Sequence, residues 1–468
     1  MLRLSFLIFI QLFLFISILK SEESSFFSGG ETTNITNNKN SFSLEAKNLP
    51  EHLRVDFLVG DALFERIWED SKFTSNIARD GLGPFFSSQS CEGCHINDGR
   101  GHLPEETYMD MDSISIVIHL GKDKNDLNTG SKNIPDGNYG SQISEFAVEG
   151  VLKEADINFK YDYSIGALDN GMIYELRKPK ISLSNLNYGN IDKDTEFSAR
   201  VAQPLIGLGL IESIDIEDIM KNEDEFDLDN DGISGKANKV WDDVNQKEEL
   251  GRFGWKASQP SIYQQVADAL FNDMGLSNPL YTNPSNCGES QIDCLNAING
   301  NSIEHDNLEV SNQQLELITF YSQQLGVPAR RDIDDEDVIA GKKLFFELSC
   351  NSCHIEKFKT GSHSDHKNLK HQVIYPYSDF LLHDMGDGLS DDIPEYLANG
   401  NEWRTTPLWG LGLTETVSGR ETYLHDGRAR NLTEAILWHG GEANSAREDF
   451  KKLNNIQINQ LLRFLSSL

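Results

Sequence analysis

Two pentapeptides restrict this chain more than anything else in it. They read Cys91-Glu92-Gly93-Cys94-His95 and Cys350-Asn351-Ser352-Cys353-His354. C-x-x-C-H is the attachment signature of a c-type haem. Two thiols about one helical turn apart reach the two vinyl groups of a porphyrin, and the adjacent imidazole then supplies the proximal nitrogen to the iron. A shared zinc site would join four cysteines, but it has no need of a histidine trailing each pair. A thioredoxin-like redox pair expects a βαβ context, which neither segment has. The pattern therefore predicts two covalent c-type haems, tethered by Cys91, Cys94, Cys350 and Cys353, with His95 and His354 as iron ligands. Cys287 and Cys294 remain, seven positions apart in a loop-like stretch with no histidine after them. Outside the cytoplasm such a pair reads as a disulfide.

The first residues agree with export. Met1-Leu2-Arg3 precedes an apolar stretch from Leu4 to Leu19, which reads as a secretory signal over 1–20. Gln11 interrupts the stretch, and it is short for a membrane span. No A-x-A cleavage site follows, so a cleaved signal and an uncleaved membrane anchor both stay open. Either places the rest of the chain outside the cytoplasm, in the periplasm. Residues 21–50, rich in Ser, Asn, Thr and Glu, read as a flexible tether. The formal charge of −33 argues against nucleic-acid or anionic-membrane binding, both of which need cations near phosphate. It suits a basic partner, and solvated acidic faces without a partner equally well.

Helix-like runs frame each motif. Val59 to Trp68 lies before the first and Asn312 to Leu325 after it. Asp334 to Phe346 lies before the second and Ile456 to Leu468 closes the chain. Apolar residues recur on one side of these runs. Gly326-Val327-Pro328 reads as a linker. This predicts a mainly α chain of two cytochrome c-like haem domains, 51–328 and 329–468. Between about 105 and 200 the pattern alternates as strands do, so the first domain is expected to carry a β-rich insertion there.

Further motifs bring a family into view. They are Gly81-Leu82-Gly83-Pro84, Asp98-Gly99-Arg100-Gly101, Gly251-Arg252-Phe253-Gly254-Trp255-Lys256-Ala257, Asp273-Met274-Gly275, Leu382-His383-Asp384-Met385-Gly386, Arg404-Thr405-Thr406-Pro407-Leu408-Trp409-Gly410 and Leu424-His425-Asp426-Gly427-Arg428-Ala429. With the haem motifs, they make residues 51–468 resemble the di-haem oxidoreductase (peroxidase or thiol oxidoreductase) family, related to bacterial di-haem cytochrome c peroxidases.

The resemblance implies roles. In those peroxidases a tryptophan lies between the haems, and a glutamine ten positions later lines the peroxide pocket; Trp255 and Gln265 have that spacing. An acid then precedes Met-Gly. Here it is Asp273, two positions closer than in the family and aspartate in place of glutamate. A carboxylate over an open haem can take a proton from one peroxide oxygen and return it to the other. The family places a methionine fourteen positions after the histidine of its His-x-Gly segment, and counting from His425 gives His439. The sixth ligand of the second haem is thus expected to be His439, with Met385 as the rival. No distal ligand stands out for the first haem; His102 and His119 are downstream candidates. His363, His366 and His371 read as a solvated loop.

Asp227-Leu228-Asp229-Asn230-Asp231-Gly232 matches the opening of an EF-hand loop, but Asn238 stands where the bidentate glutamate belongs. Asp227, Asp229 and Asp231 are candidate calcium ligands, and an acidic turn is the other reading. The implied activity is an oxidoreductase. A small exported cytochrome or similar donor would supply electrons at the second haem for a peroxide or other substrate at the first. Peroxide-driven oxidation of a partner protein or thiol, and electron transfer without catalysis, are the alternatives.

Overall fold

The computed structural model describes residues 25–74, 76–104, 115–122, 132–283 and 286–468. The expected signal over 1–20 lies outside the described residues. No described helix is long and apolar enough to cross a membrane.

Two helix pairs organise the molecule. In the first, α1 (Arg54–Phe64) turns Phe57, Leu63 and Phe64 inward. Strands then intervene: β1 (Ile116–Lys122), β2 (Gln142–Ile143), β3 (Asp156–Ala167), β4 (Ile173–Ser184) and β5 (Thr195–Val201). Beyond them come α2 (Ile262–Met274), started by the Ser261 side chain and stopped by Gly275 in the left-handed region (φ 67°), and α3 (Asn312–Gln324), opened by a capping box of Ser311 and Gln314. The second pair is α4 (Glu336–Glu347), capped by Asp335, and the terminal helix α6 (Asn455–Ser467), with a capping box of Asn454 and Gln457. Between them α5 (Leu432–Trp438) starts at Asn431, whose side chain accepts from Glu434 N–H.

Both pairs cross at a glycine. A Cβ on Gly60 of α1 would stand 2.3 Å from the Leu317 carbonyl oxygen of α3. A Cβ on Gly341 of α4 would stand 1.9 Å from the Gln460 carbonyl oxygen of α6. Only a residue without a side chain lets the backbones approach that closely.

The strands bring the two halves together. β1 pairs antiparallel with β5, from Ile116 opposite Val201 to Lys122 opposite Thr195, and β2 adds on the other edge of β1. Alternation along β1 buries Ile116, Ile118 and Leu120 in one cluster and turns Val117 and His119 to the opposite face. β3 and β4 form a hairpin of twelve paired positions. Its base packs Ile157, Phe159 and Tyr161 into the β1 cluster. Its turn places Leu168 in the cluster of α4, α5 and α6, where Asp169 N–H bonds the Lys451 carbonyl at 3.0 Å. A further core draws on both halves, with Phe42, Ile206, Ile211, Val327, Leu369, Ile374, Trp409 and Leu413.

Two expectations are corrected here. The chain is not a mainly α pair of cytochrome c-like domains but a mixed α/β fold, 30% helix and 19% strand, with many small sheets. The second half alone holds the two-stranded pairs Phe358–Lys359 with Val373–Ile374 and Leu382–Asp384 with Glu402–Arg404. Strands of two or three residues are too short to show a period of two in sequence. The described part of the expected tether, from Ser25, is packed as well. Phe42 and Ala46 are 1% exposed, Asn34 bridges Pro328 and Glu45 bridges Leu325. A few dispersed apolar side chains anchor this segment although its average composition is polar.

Candidate functional site

Each C-x-x-C-H motif forms the floor of its own cavity. Ser90 caps a single helical turn, Cys91–Cys94, by accepting from Gly93 N–H at 3.1 Å. His95 N–H then bonds the Cys91 carbonyl at 2.9 Å. In the second motif His354 N–H bonds the Cys350 carbonyl at 3.0 Å. The turn sets both thiols and the imidazole on one wall in each case. Cys91, Cys94 and His95 line a cavity of about 230 Å³; Cys350, Cys353 and His354 line one of about 410 Å³.

The two proximal histidines are held alike. His95 Nδ1 donates to the Gln203 carbonyl at 2.8 Å, and His354 Nδ1 donates to the Tyr377 carbonyl at 2.9 Å. Each bond fixes the tautomer and leaves Nε2 for a metal. Burial pushes both imidazoles down to about 4, so both are neutral at pH 7, the form that ligates. Four thiols outside any disulfide, two neutral imidazoles of fixed tautomer and largely apolar walls fit a pair of thioether-bound haems.

In the larger cavity a second histidine lies near the first. His439, just past the end of α5, donates from Nδ1 to the Ala435 carbonyl at 2.7 Å, which again leaves Nε2 for a metal. It lines the cavity and lies close enough to His354 to lower that imidazole further. Met385 lines the same cavity. His383 does too, but both its nitrogens are engaged, Nε2 with Asp379 at 2.8 Å and Nδ1 with Glu442 at 2.7 Å. Although burial opposes charge, these carboxylates hold its pKa well above the ordinary value; it is a cation, not a ligand.

The smaller cavity brings together Trp255, Gln265 and Asp273 with the first motif. Asp273, near the end of α2, accepts from Gln142 Nε2 at 2.9 Å, and burial pushes its carboxyl up to about 7. Trp255 is 9% exposed and lines both cavities. Its Nε1 donates to the Val201 carbonyl at 2.9 Å.

Around this cavity are residues the sequence did not single out. Gln142, Lys132, Asp268, Arg200 and Glu395 all line it, beside His119 from the outward face of β1. Lys132 pairs with Asp268 at 3.2 Å. Arg200 is bonded to Glu395 and, at 2.8 Å, to Asp391, which also takes Lys256 at 3.0 Å. Burial alone would raise the Glu395 carboxyl; Arg200, Lys132, His119 and Lys256 hold it far below the usual range. Burial, then Arg200, pushes His119 down to about 3, so a neutral imidazole faces the cavity. The alternation of β1 was a local signal for His119, whereas Glu395 and Lys132 had none.

Other candidates fall elsewhere. His102 is buried and lines neither cavity. His363 bonds Asp215 and His366 bonds Gln323, so these loop histidines do not converge. In the acidic loop the carboxylates that approach within 4.8 Å of one another are Asp224, Asp227 and Asp229. Asp231 instead accepts from Ile233 N–H at 2.8 Å. Asn238, at the twelfth loop position, is buried, with its side chain bonded to Lys256, Glu395 and Leu397 backbone. The EF-hand pattern is therefore not completed.

The family described as "Di-haem oxidoreductase, putative peroxidase" matches residues 23–468. No curated protein matches the chain. A solved structure of Kuenenia stuttgartiensis hydrazine synthase, pressurised with 20 bar xenon, is similar at 18% identity over 39% of this chain, with a TM-score of 0.23. The chain covers 63% of that protein's chain. A score that low supports no argument about fold or function.

Proposed function

The chain belongs to the di-haem oxidoreductase family, and from that premise we propose that it is an exported c-type cytochrome enzyme that reduces a peroxide, or turns over another substrate, in the cavity of the first motif. Cys91 and Cys94 tether one haem, Cys350 and Cys353 the other. When bound, these haems supply one-electron redox chemistry and an iron site for substrate. His95 and His354 would hold the irons through Nε2, and His439 would offer Nε2 as a further ligand at the second site. Gln142, Gln265 and Asp273 line the first cavity with His95, polar side chains suited to a substrate held there.

The observation that carries this reading is the position of Trp255, an aromatic wall shared by the cavity of Gln265 and Asp273 and the cavity of His354 and His439. Electrons from a small exported redox protein enter on the second side, and Trp255 offers an aromatic contact between the two. Reduction of H–O–O–H consumes two electrons and two protons and yields two waters. Asp273, with a pKa close to 7, is matched to taking a proton from one oxygen and giving it to the other. Gln142 holds that carboxyl in place, and Gln265 offers an amide to the substrate. The Cys287–Cys294 disulfide supports an oxidising compartment such as the periplasm.

Mass spectrometry and optical spectra of the mature protein test it. Two haem additions are expected, one on each C-x-x-C-H peptide, with one high-spin and one low-spin iron and turnover of peroxide. Two low-spin irons and no reaction with peroxide, whether oxidised or half-reduced, would make the protein an electron carrier instead.

A further inference from the structure

Some buried cations in this fold have carboxylate partners. Arg200 and Lys256 share Asp391, and Arg428 pairs with Asp426 at 2.7 Å. Arg404 and Arg100 differ from these. They are 6% and 8% exposed, and among the described residues neither has a salt bridge. Arg404 donates from Nε to the Gly254 carbonyl at 2.9 Å and from Nη2 to Gln203 Oε1 at 3.0 Å. Arg100 donates from Nη2 to the Leu424 carbonyl. Arg404 Nη1, Arg100 Nε and Gln203 Nε2 are buried with no partner. The Arg404 bond fixes the Gln203 amide so that its oxygen faces Arg404 and its nitrogen remains a donor.

All three residues line the cavity of the second motif. Two guanidiniums without a salt bridge in such a place are expensive unless an anion joins them. The other cations on that cavity are already used, His383 by Asp379 and Glu442 and Arg447 by Glu448 and Asn444. Much of the rest of the wall is apolar, with Phe345, Leu348, Leu408, Trp409 and Leu461 among its residues. The missing anion therefore belongs to a flat, apolar molecule with carboxylates at one edge.

Resting on the reading that Cys350 and Cys353 tether a haem, we propose that Arg100, Arg404 and Gln203 form a cradle for the propionate carboxylates of that haem. Guanidinium forks match carboxylates in geometry and charge. The cradle gives the Arg404-Thr405-Thr406 and Asp98-Gly99-Arg100 motifs a role. It also ties the two sites together. Arg100 follows the first proximal histidine by five positions yet serves the second cavity. Gln203 accepts from His95 Nδ1 through its backbone and bonds Arg404 through its side chain. Arg100 lies 5.1 Å above the Trp255 ring, so the cradle borders the shared wall.

The test is a redox titration of the holoprotein with Arg404→Gln, Arg100→Gln, the charge-preserving Arg404→Lys and Arg100→Lys, and the surface control Arg54→Gln. Removing a cation leaves propionate charge uncompensated near the iron and favours the oxidised form. Each Gln variant is expected to change the reduced-to-oxidised ratio of the second haem at a fixed poise about tenfold, a fall of about 59 mV. The Lys variants should retain most of the parent potential and the control all of it. An unchanged second-haem potential in both Gln variants, with both haems attached by mass spectrometry, overturns the cradle. So does a shift confined to the first haem. If the Gln variants do not fold, Gln203→Leu replaces them; a smaller fall of the same sign is expected, and no change overturns the proposal. Parent protein lacking a haem on Cys350 and Cys353 is a different failure, that of the reading beneath it.

Discussion

Replacing Asp273 by asparagine tests whether burial sets the acid/base group. The carboxyl has an ordinary value of 3.8 and is raised to about 7. Below pH 3.8 the native and unfolded chains both hold the proton, and burial costs nothing. Between 3.8 and 7 the unfolded chain releases it while the native state keeps it, so stability falls as pH rises. Above 7 the cost is constant. A span of about 3 pH units at about 1.36 kcal/mol each gives an upper bound of about 4 kcal/mol. The side chain is not wholly shielded, and solvent screening brings this to about 2–4 kcal/mol. Asp273→Asn removes the charge and keeps an oxygen for Gln142. The variant should therefore match the parent in urea unfolding at pH 4 and exceed it by about 2–4 kcal/mol at pH 8. Peroxide turnover in the parent should change across pH 7, and the variant should be slow at every pH with that limb gone. Equal stability at pH 8, together with an unchanged turnover profile, would show that burial does not govern this carboxyl and would remove Asp273 from the reaction.

The other expectations concern ligation and framework. His439→Ala should turn the second haem high-spin while Met385→Ala leaves it low-spin, read by optical and EPR spectra; the reverse result moves the ligand to Met385. Glu395→Gln strips Arg200 of one of its two carboxylates and should cost about 3–5 kcal/mol in chemical denaturation; a loss below about 1 kcal/mol would show the cluster relaxes without it. Asn454→Ala opens the capping box of α6 and should cost about 1 kcal/mol, measured the same way.

What could be read from the sequence was local. The haem motifs declare themselves within five residues because thiols and imidazole must share one turn, and α3, α4 and α6 follow from apolar spacing. α1 runs over Arg54–Phe64 rather than the expected Val59 to Trp68, because its buried face is set by Gly60 against Leu317. That close approach leaves no periodic trace. Asn238, which the sequence already sets where the EF-hand glutamate belongs, is buried and bonded by distant segments that its neighbours in the chain do not announce.

The polar residues of the first cavity show most plainly why local reading stops. His119 sits on a strand whose alternation assigns it a face. Its neighbour Glu395 comes from a loop 276 positions later (395 − 119), and the two stand 3.8 Å apart only because Arg200, opposite Val117 on β5, carries Glu395 with it. Nothing near Glu395 in the chain announces an acid held ionised in the interior. The same holds for Arg404 and Arg100, which become conspicuous only when burial leaves Arg404 Nη1 and Arg100 Nε without a hydrogen-bond partner. An unpaired buried charge is a property of the assembled interior. The residues that tune such a site are therefore found by asking which buried groups remain unsatisfied, whereas the residues that attach the cofactor are found by spacing.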